Sequence, residues 1–79
     1  MLSSQPTIIE EEVNGDVYVA RSSQYNNLNA ERVILGENIM VRLFGVVRNK
    51  LVIGKGTRVY FHGTIAGIVE NLGGELYKY

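Results

Sequence analysis

An internal repeat is the feature that most limits the folds open to this chain of 79 residues. Residues 33–50 align without a gap on residues 51–68. Glycines and apolar residues coincide in the two copies: Gly36 with Gly54, Gly45 with Gly63, Val41 with Val59, Leu43 with Phe61 and Val47 with Ile65. A repeat of this kind indicates one supersecondary unit per copy, which buries its core by stacking on its neighbours.

Weaker copies of the repeat extend in both directions. A partial third copy aligns three residues with the second copy: Gly74 with Gly56, Tyr77 with Val59 and Tyr79 with Phe61. Upstream, residues 13–17 resemble residues 61–65, which makes Gly15 the counterpart of Gly45. These two glycines are separated by more than one repeat, so this alignment predicts one 18-residue repeat plus a 12-residue insertion.

Strand signals dominate the chain, because β-branched and aromatic residues alternate with glycine-rich turns. The predicted strands are 13–19, 32–35, 39–47, 51–53, 57–61, 64–69 and 75–79. The polar segment 21–29 predicts the one long loop, which would supply most of the insertion. Residues 27–32 form one helical turn at most, and residues 1–7 are expected to be a loose N-terminal arm.

The length of the repeat suffices for three short strands and three corners, and glycine at a corner allows a sharp bend. We therefore predict that residues 1–79 form a single all-β domain, a short β-helix (solenoid) with 18-residue coils. The alternative is a small antiparallel β-barrel or sandwich, in which the chain forms a hairpin about residues 48–50.

Composition removes several classes of function. Eight basic and eight acidic residues give a net charge of zero, so no electrostatic argument favours a nucleic-acid or membrane partner. The chain has no cysteine and a single histidine, which leaves little material for a metal site or a catalytic triad. Residues 1–6 lack the pattern of a secretory signal, and no stretch has the length of a membrane span. A cytoplasmic location is the expectation.

Candidate catalytic residues are few. A lone His62 beside Gly63 is more typical of a structural or solvated side chain than of a base. Acyltransferases built from hexapeptide repeats use a histidine base, but this chain lacks their regular apolar register. Residues 10–12 form a glutamate run typical of a solvated segment, and residues 54–57 lack the spacing of a phosphate loop. We expect no enzyme activity, no cofactor and no metal.

The outward side of the central strands is more informative, since alternate residues of a strand face opposite ways. With Val41 and Val59 inside, six residues form a predicted interaction face: Met40, Arg42, Phe44, Arg58, Tyr60 and His62. The third copy would add Leu76 and Lys78 to the outside. Aromatic residues, methionine and arginine are enriched in protein interfaces. The sequence thus predicts a structural module that forms a homo-oligomer; the alternative is a small barrel or sandwich that binds a partner protein or small ligand.

Three segments resemble the repeat of bactofilins, over about residues 13–76. They are residues 13–17; residues 30–38 with Val41 and residues 45–47; and residues 52–56 with Val59 and residues 63–65. The resemblance implies a right-handed β-helix and assembly without nucleotide into cytoskeletal scaffolds. It carries no functional residue, and this chain has fewer coils than the bactofilin core.

Overall fold

The computed structural model describes residues 7–79, and the regular structure in this range consists of strands. Seven strands follow one another: β1 Thr7–Ile9, β2 Val13–Val19, β3 Ser23–Leu35, β4 Met40–Ile53, β5 Arg58–Ile65, β6 Ile68–Asn71 and β7 Glu75–Lys78. The two longest strands each pair with two shorter strands of a neighbouring coil: β3 pairs with β1 and β2, and β4 pairs with β5 and β6.

Every strand pairing is parallel, and the strands stack in the order β1-β3-β4-β5-β7. Strand β2 pairs with β3, and β6 pairs with β4, along other sides of the same coils. The described chain is therefore a β-solenoid of about four turns. An antiparallel barrel or sandwich is wrong, because it would need hairpin pairings.

The predicted repeat is confirmed as the length of a coil, which is about 18 residues. Strand β4 lies on β5 in the register of the repeat, from Met40 opposite Arg58 to Val47 opposite Ile65. The same register relates β3 to β4 at Ser23, which lies opposite Val41. At the core positions of β4 and β5 this register places similar residues one above the other, as with Val41 and Val59 or Leu43 and Phe61.

The predicted loop at 21–29 is wrong from Ser23 onward, where β3 begins, and the helical turn at 27–32 is part of the same strand. Polar residues dominate here because they point outward. The Asn26 amide donates to Glu10 and the Asn29 amide donates to Glu12, both at 3.1 Å. The inward positions carry the buried side chains of Tyr25 and Leu28. Of the predicted arm 1–7, residues 1–6 lie outside the described residues, and Thr7 begins β1.

The predicted insertion is also wrong. Gly15 pairs with Ala30, which pairs in turn with Val47, so the segment between Gly15 and Gly45 runs through two stacked coils and contains no inserted loop. The coil at this end is shorter than the repeat, since fewer residues separate the paired positions Gly15 and Ala30 than separate the paired positions Gly45 and Gly63. The match between Gly15 and Gly45 is a coincidence of short patterns.

The third copy is displaced by one position from the predicted alignment. Val59 lies opposite Leu76, so Leu76 rather than Tyr77 packs against the core. The turn between β6 and β7 is correspondingly shorter than the turn between β4 and β5, which lies in the preceding coil. Asn71 tightens this turn, because its side-chain oxygen accepts hydrogen bonds from the backbone N–H groups of Gly73 and Gly74 at 2.9 and 2.7 Å.

Columns of aliphatic and aromatic residues fill the interior. The side chains of Val41 and Val59 are fully buried, as predicted, and Leu43 and Phe61 form the next column. Thr57 is buried at a corner, where its hydroxyl donates to the carbonyl oxygen of Gly36 at 2.6 Å. The described residues contain no fully buried side-chain nitrogen or oxygen without a hydrogen-bond partner.

Stacked glycines form one corner of the coils. Gly45 and Gly63 lie opposite each other with φ angles of 145° and 138°, a region that other residues rarely adopt. A Cβ atom on Gly63 would overlap the carbonyl oxygen of Gly45. The close approach of two backbones therefore requires glycine here.

Replacing Val59 with aspartate should unfold the domain. The substitution puts a carboxylate without a partner into the core, at a cost of about 4 kcal/mol or more. Circular dichroism should show loss of the β signal. The double variant Arg42→Glu, Tyr60→Glu changes only outward side chains and should remain folded. A folded Val59→Asp protein would contradict the assignment of the inner face.

Replacing Gly63 with alanine should destabilise the solenoid by about 3 kcal/mol or more, since backbone strain and a collision with Gly45 add together. Gly15→Ala is the matched control: its φ is also positive, at 74°, but a Cβ there meets nothing within 4 Å. This control should cost only about 1–2 kcal/mol. Urea unfolding measures both; equal losses would contradict the stacked corner.

Candidate interaction face

The structure brings the six residues of the predicted interaction face together on the outside of β4 and β5. Their pairing is Met40 with Arg58, Arg42 with Tyr60 and Phe44 with His62. They point outward because the residues between them on each strand are fully buried. We call this surface, together with the outward residues of the next coil, the aromatic face: Met40, Arg42, Phe44, Arg58, Tyr60, His62, Glu75, Tyr77 and Tyr79.

One stack of rings runs along the solenoid axis through three coils. The ring centroids of Phe44 and His62 are 4.6 Å apart, and those of His62 and Tyr79 are 4.7 Å apart. The angles between ring planes are 9° and 13°. These separations match the spacing of neighbouring strands, about 4.7–4.9 Å, so backbone pairing holds the rings face to face. The imidazole of His62 consequently has an aromatic ring on each side.

A second stack lies beside the first. Tyr60 and Tyr77 have ring centroids 5.1 Å apart at 15°, and Tyr60 also approaches Tyr79 at 6.4 Å. The guanidinium of Arg42 lies 6.0 Å from the centre of the Tyr60 ring, within range of a cation–π contact. The two stacks form one continuous aromatic surface with their ring edges directed outward.

Glu75 organises the polar part of the face. Its carboxylate lies 3.7 Å from the Arg58 guanidinium and accepts a hydrogen bond of 2.6 Å from the Tyr77 hydroxyl. This hydrogen bond, followed by desolvation, raises the pKa of Tyr77 above its ordinary value of 10.0. Arg42 forms no ion pair with an acid among residues 7–79. The face therefore has one neutralised cation and one available cation.

Exposure differs across the face. Met40 is 37%, Tyr77 is 40% and Tyr79 is 70% exposed, whereas the rings inside the stacks are half-buried by their neighbours. In the coil below, Gln24 pairs with Arg42, and the Gln24 amide donates to Asn26. Polar residues thus border the aromatic face on that side, an arrangement typical of an interface patch with a polar rim.

The predicted contribution of the last coil to this face is wrong. The repeat alignment predicts Leu76 outside and both tyrosines inside, but Leu76 packs against the core and the tyrosines join the ring stacks. The chain contained a signal for the observed register, because it brings Glu75 opposite Arg58 and Tyr77 opposite Tyr60. The alignment of Gly74 with Gly56 favoured the wrong register and hid this signal.

Sequence reasoning also missed a second outward stripe. Tyr18, Ile34 and Val52 lie one above the other on β2, β3 and β4. Tyr18 is 71% exposed, and the other two are partly buried. Ion pairs flank the stripe: Asp16 with Arg32 at 3.9 Å and Lys50 with Glu70 at 3.0 Å. The alternation of each strand contained this information, but the stripe emerges only when the coils are stacked.

The structure also shows the surroundings of the candidate metal ligands, of His62 and of the glutamate run. Within residues 7–79, no group of three or more acidic, histidine or cysteine side chains could hold a metal ion. The imidazole of His62 forms no hydrogen bond with another described residue. Glu10 and Glu12 hold the amides of β3, as described above. The same part of the chain contains no helix with the length and apolarity needed to cross a membrane.

Comparison with known proteins finds no match to any protein-family model, to any curated protein or to any solved structure.

The hydrogen bond between Tyr77 and Glu75 should be visible in an alkaline titration. Donation to the carboxylate requires a protonated phenol, so this contribution to stability is present below the ordinary pKa of 10.0 and is lost as the pH rises through the raised pKa of Tyr77. Ultraviolet absorbance of tyrosinate, taken as the difference between the protein and its Tyr77→Phe variant, isolates this residue. Glu75→Gln should lower the Tyr77 midpoint, and an unchanged midpoint would contradict the bond.

Proposed function

We propose that this chain is a non-enzymatic structural module that assembles with further copies of itself through the aromatic face. The observation that carries the proposal is the pair of ring stacks on an exposed side of the solenoid. Two stacks of aromatic rings are unusual for a surface that meets only water, because exposed apolar patches on soluble proteins mark interaction sites.

The arrangement favours association in a second way. Binding normally costs about 0.5–1.5 kcal/mol for each flexible side chain that becomes fixed. In the aromatic face, ring stacking already restricts the side chains of Phe44, Tyr60 and His62. These side chains therefore lose less conformational entropy when a second copy binds. Burial of the outward ring edges would contribute about 25 cal/mol per Å² of apolar area.

Charge supplies the selectivity of the proposed contact. Arg42 has no acidic partner in the described chain, while Glu75 is shared between Arg58 and Tyr77. A second copy would bring its own tyrosine hydroxyls and Glu75 to the available guanidinium. Facing sheets pack at about 10 Å, which leaves room for one layer of side chains from each copy.

The size of the domain also supports association. A chain of 79 residues without cysteine commonly supplements its small core by oligomerisation. The resemblance to bactofilins points in the same direction, towards a scaffold that forms without nucleotide, and we include it in the proposal. The second candidate is a different partner protein docked on the same face; the available Arg42 beside aromatic rings suits an acidic, apolar partner.

Light scattering after size-exclusion chromatography, over a hundredfold range of concentration, tests the proposal. We expect masses above 8.8 kDa. A fixed multiple indicates a closed oligomer, and growth with concentration indicates open stacking. A monomer at every concentration would contradict self-assembly and favour the separate partner.

Two tyrosine variants locate the contact. Tyr79→Ser removes a ring that is 70% exposed in the aromatic face, and Tyr18→Ser removes one that is 71% exposed elsewhere. We expect Tyr79→Ser to weaken association by about tenfold or more and Tyr18→Ser to leave it unchanged. The reverse result would move the interface to the stripe of Tyr18, Ile34 and Val52.

A further inference from the structure

A cleft of about 350 Å³ opens at the N-terminal coil, where β1 and the end of β2 meet the beginning of β3. Its lining is partly apolar and partly polar: Thr7, Ile9, Tyr18, Val19, Ala20, Arg21, Ser23 and Tyr25. None of these residues belongs to the aromatic face. The volume lies in the range of small-molecule sites.

Tyr25 is the unusual residue of the cleft. It occupies an inward position, in the column of Leu43 and Phe61, and it is only 9% exposed. Its hydroxyl forms no hydrogen bond with another described residue. Tyr25 lines the cleft, and the described chain has no fully buried polar side-chain atom without a partner, so this hydroxyl is not sealed in the core. A phenol at its ordinary pKa of 10.0 is already protonated at neutral pH, and burial raises the pKa of Tyr25 further.

Arg21 supplies a positive charge at the same cleft. It is exposed, and the ion pairs of the described chain use other cations, namely Arg32, Arg48, Lys50 and Arg58. Two hydrogen bonds hold the turn that carries Arg21 in place. The Ser23 hydroxyl donates to the Arg21 carbonyl oxygen at 2.8 Å, and the Thr7 N–H donates to the Ser22 carbonyl oxygen at 3.2 Å.

We propose that this cleft binds a small apolar carboxylate. The ligand's carboxylate accepts a hydrogen bond from the Tyr25 hydroxyl and pairs with the Arg21 guanidinium. Its hydrocarbon part packs on the apolar side chains of Ile9 and Val19. An acid suits the site better than a neutral molecule, because an available guanidinium and an available hydroxyl are both hydrogen-bond donors.

Benzoate is the probe, added to the full chain and followed by amide chemical shifts. We expect saturable shifts in residues 19–25. Benzamide, which has the same shape without the charge, should bind about tenfold or more weakly. Shifts confined to other parts of the molecule, or no saturation, would overturn the proposal.

Two variants test the named groups. Tyr25→Phe keeps the buried ring and removes the hydroxyl, and Arg21→Gln removes the charge; each should weaken benzoate binding by about tenfold. Lys55→Gln removes an exposed cation outside the cleft and should have no effect. Unchanged affinity in both cleft variants would overturn the proposal.

The outcome is separable from the assembly proposal. Neither Tyr25 nor Arg21 contributes to the aromatic face, so both cleft variants should keep the wild-type mass in light scattering. Tyr79→Ser should keep the benzoate affinity. A dependence of benzoate binding on Tyr79 would contradict an independent cleft.

Discussion

Parallel strand pairing at a spacing of about 4.8 Å governs both the inside and the outside of this solenoid. Where β5 stacks on β4, the chain returns to a point directly above itself, so each residue meets its repeat counterpart. Inside, this places Val41 under Val59 and Leu43 under Phe61. Outside, the same spacing places Phe44 under His62 at 4.6 Å. The core and the ring stacks are therefore two consequences of one backbone geometry.

The corners determine whether that register persists. Gly45 and Gly63 permit backbones to approach so closely that no side chain fits between them. Where a corner has a different number of residues, the strand that follows it pairs with the coil below in a shifted register. The short turn held by Asn71 displaces β7 by one position and so moves Tyr77 and Tyr79 to the outside. A turn that is one residue shorter thereby enlarges the aromatic face.

The two proposed sites differ in character because they lie at different places in the stack. The aromatic face consists of repeated outward positions, and its rings are aligned by neighbouring coils. The cleft lies at the first coils, where the pairing of Gly15 with Ala30 marks a coil shorter than the repeat. Tyr25 is a large side chain in this shorter part of the solenoid, and it lines the cleft while remaining 9% exposed. Regular repetition thus supports the proposed contact between copies, and the proposed small-molecule site lies where the coils depart from that regularity.

The all-β solenoid, the length of its coil and the six outward residues of β4 and β5 follow from the amino-acid sequence alone. Two gap-free copies define a register, and strand alternation then assigns each side chain to a face. The strand at residues 23–29 became apparent only in the folded chain. Its outward asparagines and glutamine resemble loop composition; only the structure shows that two of the asparagines donate hydrogen bonds to glutamates of the preceding segment. The place of Tyr77 and Tyr79 likewise required the fold, since a one-residue change in a turn reverses the two faces of a strand while altering the local sequence pattern very little.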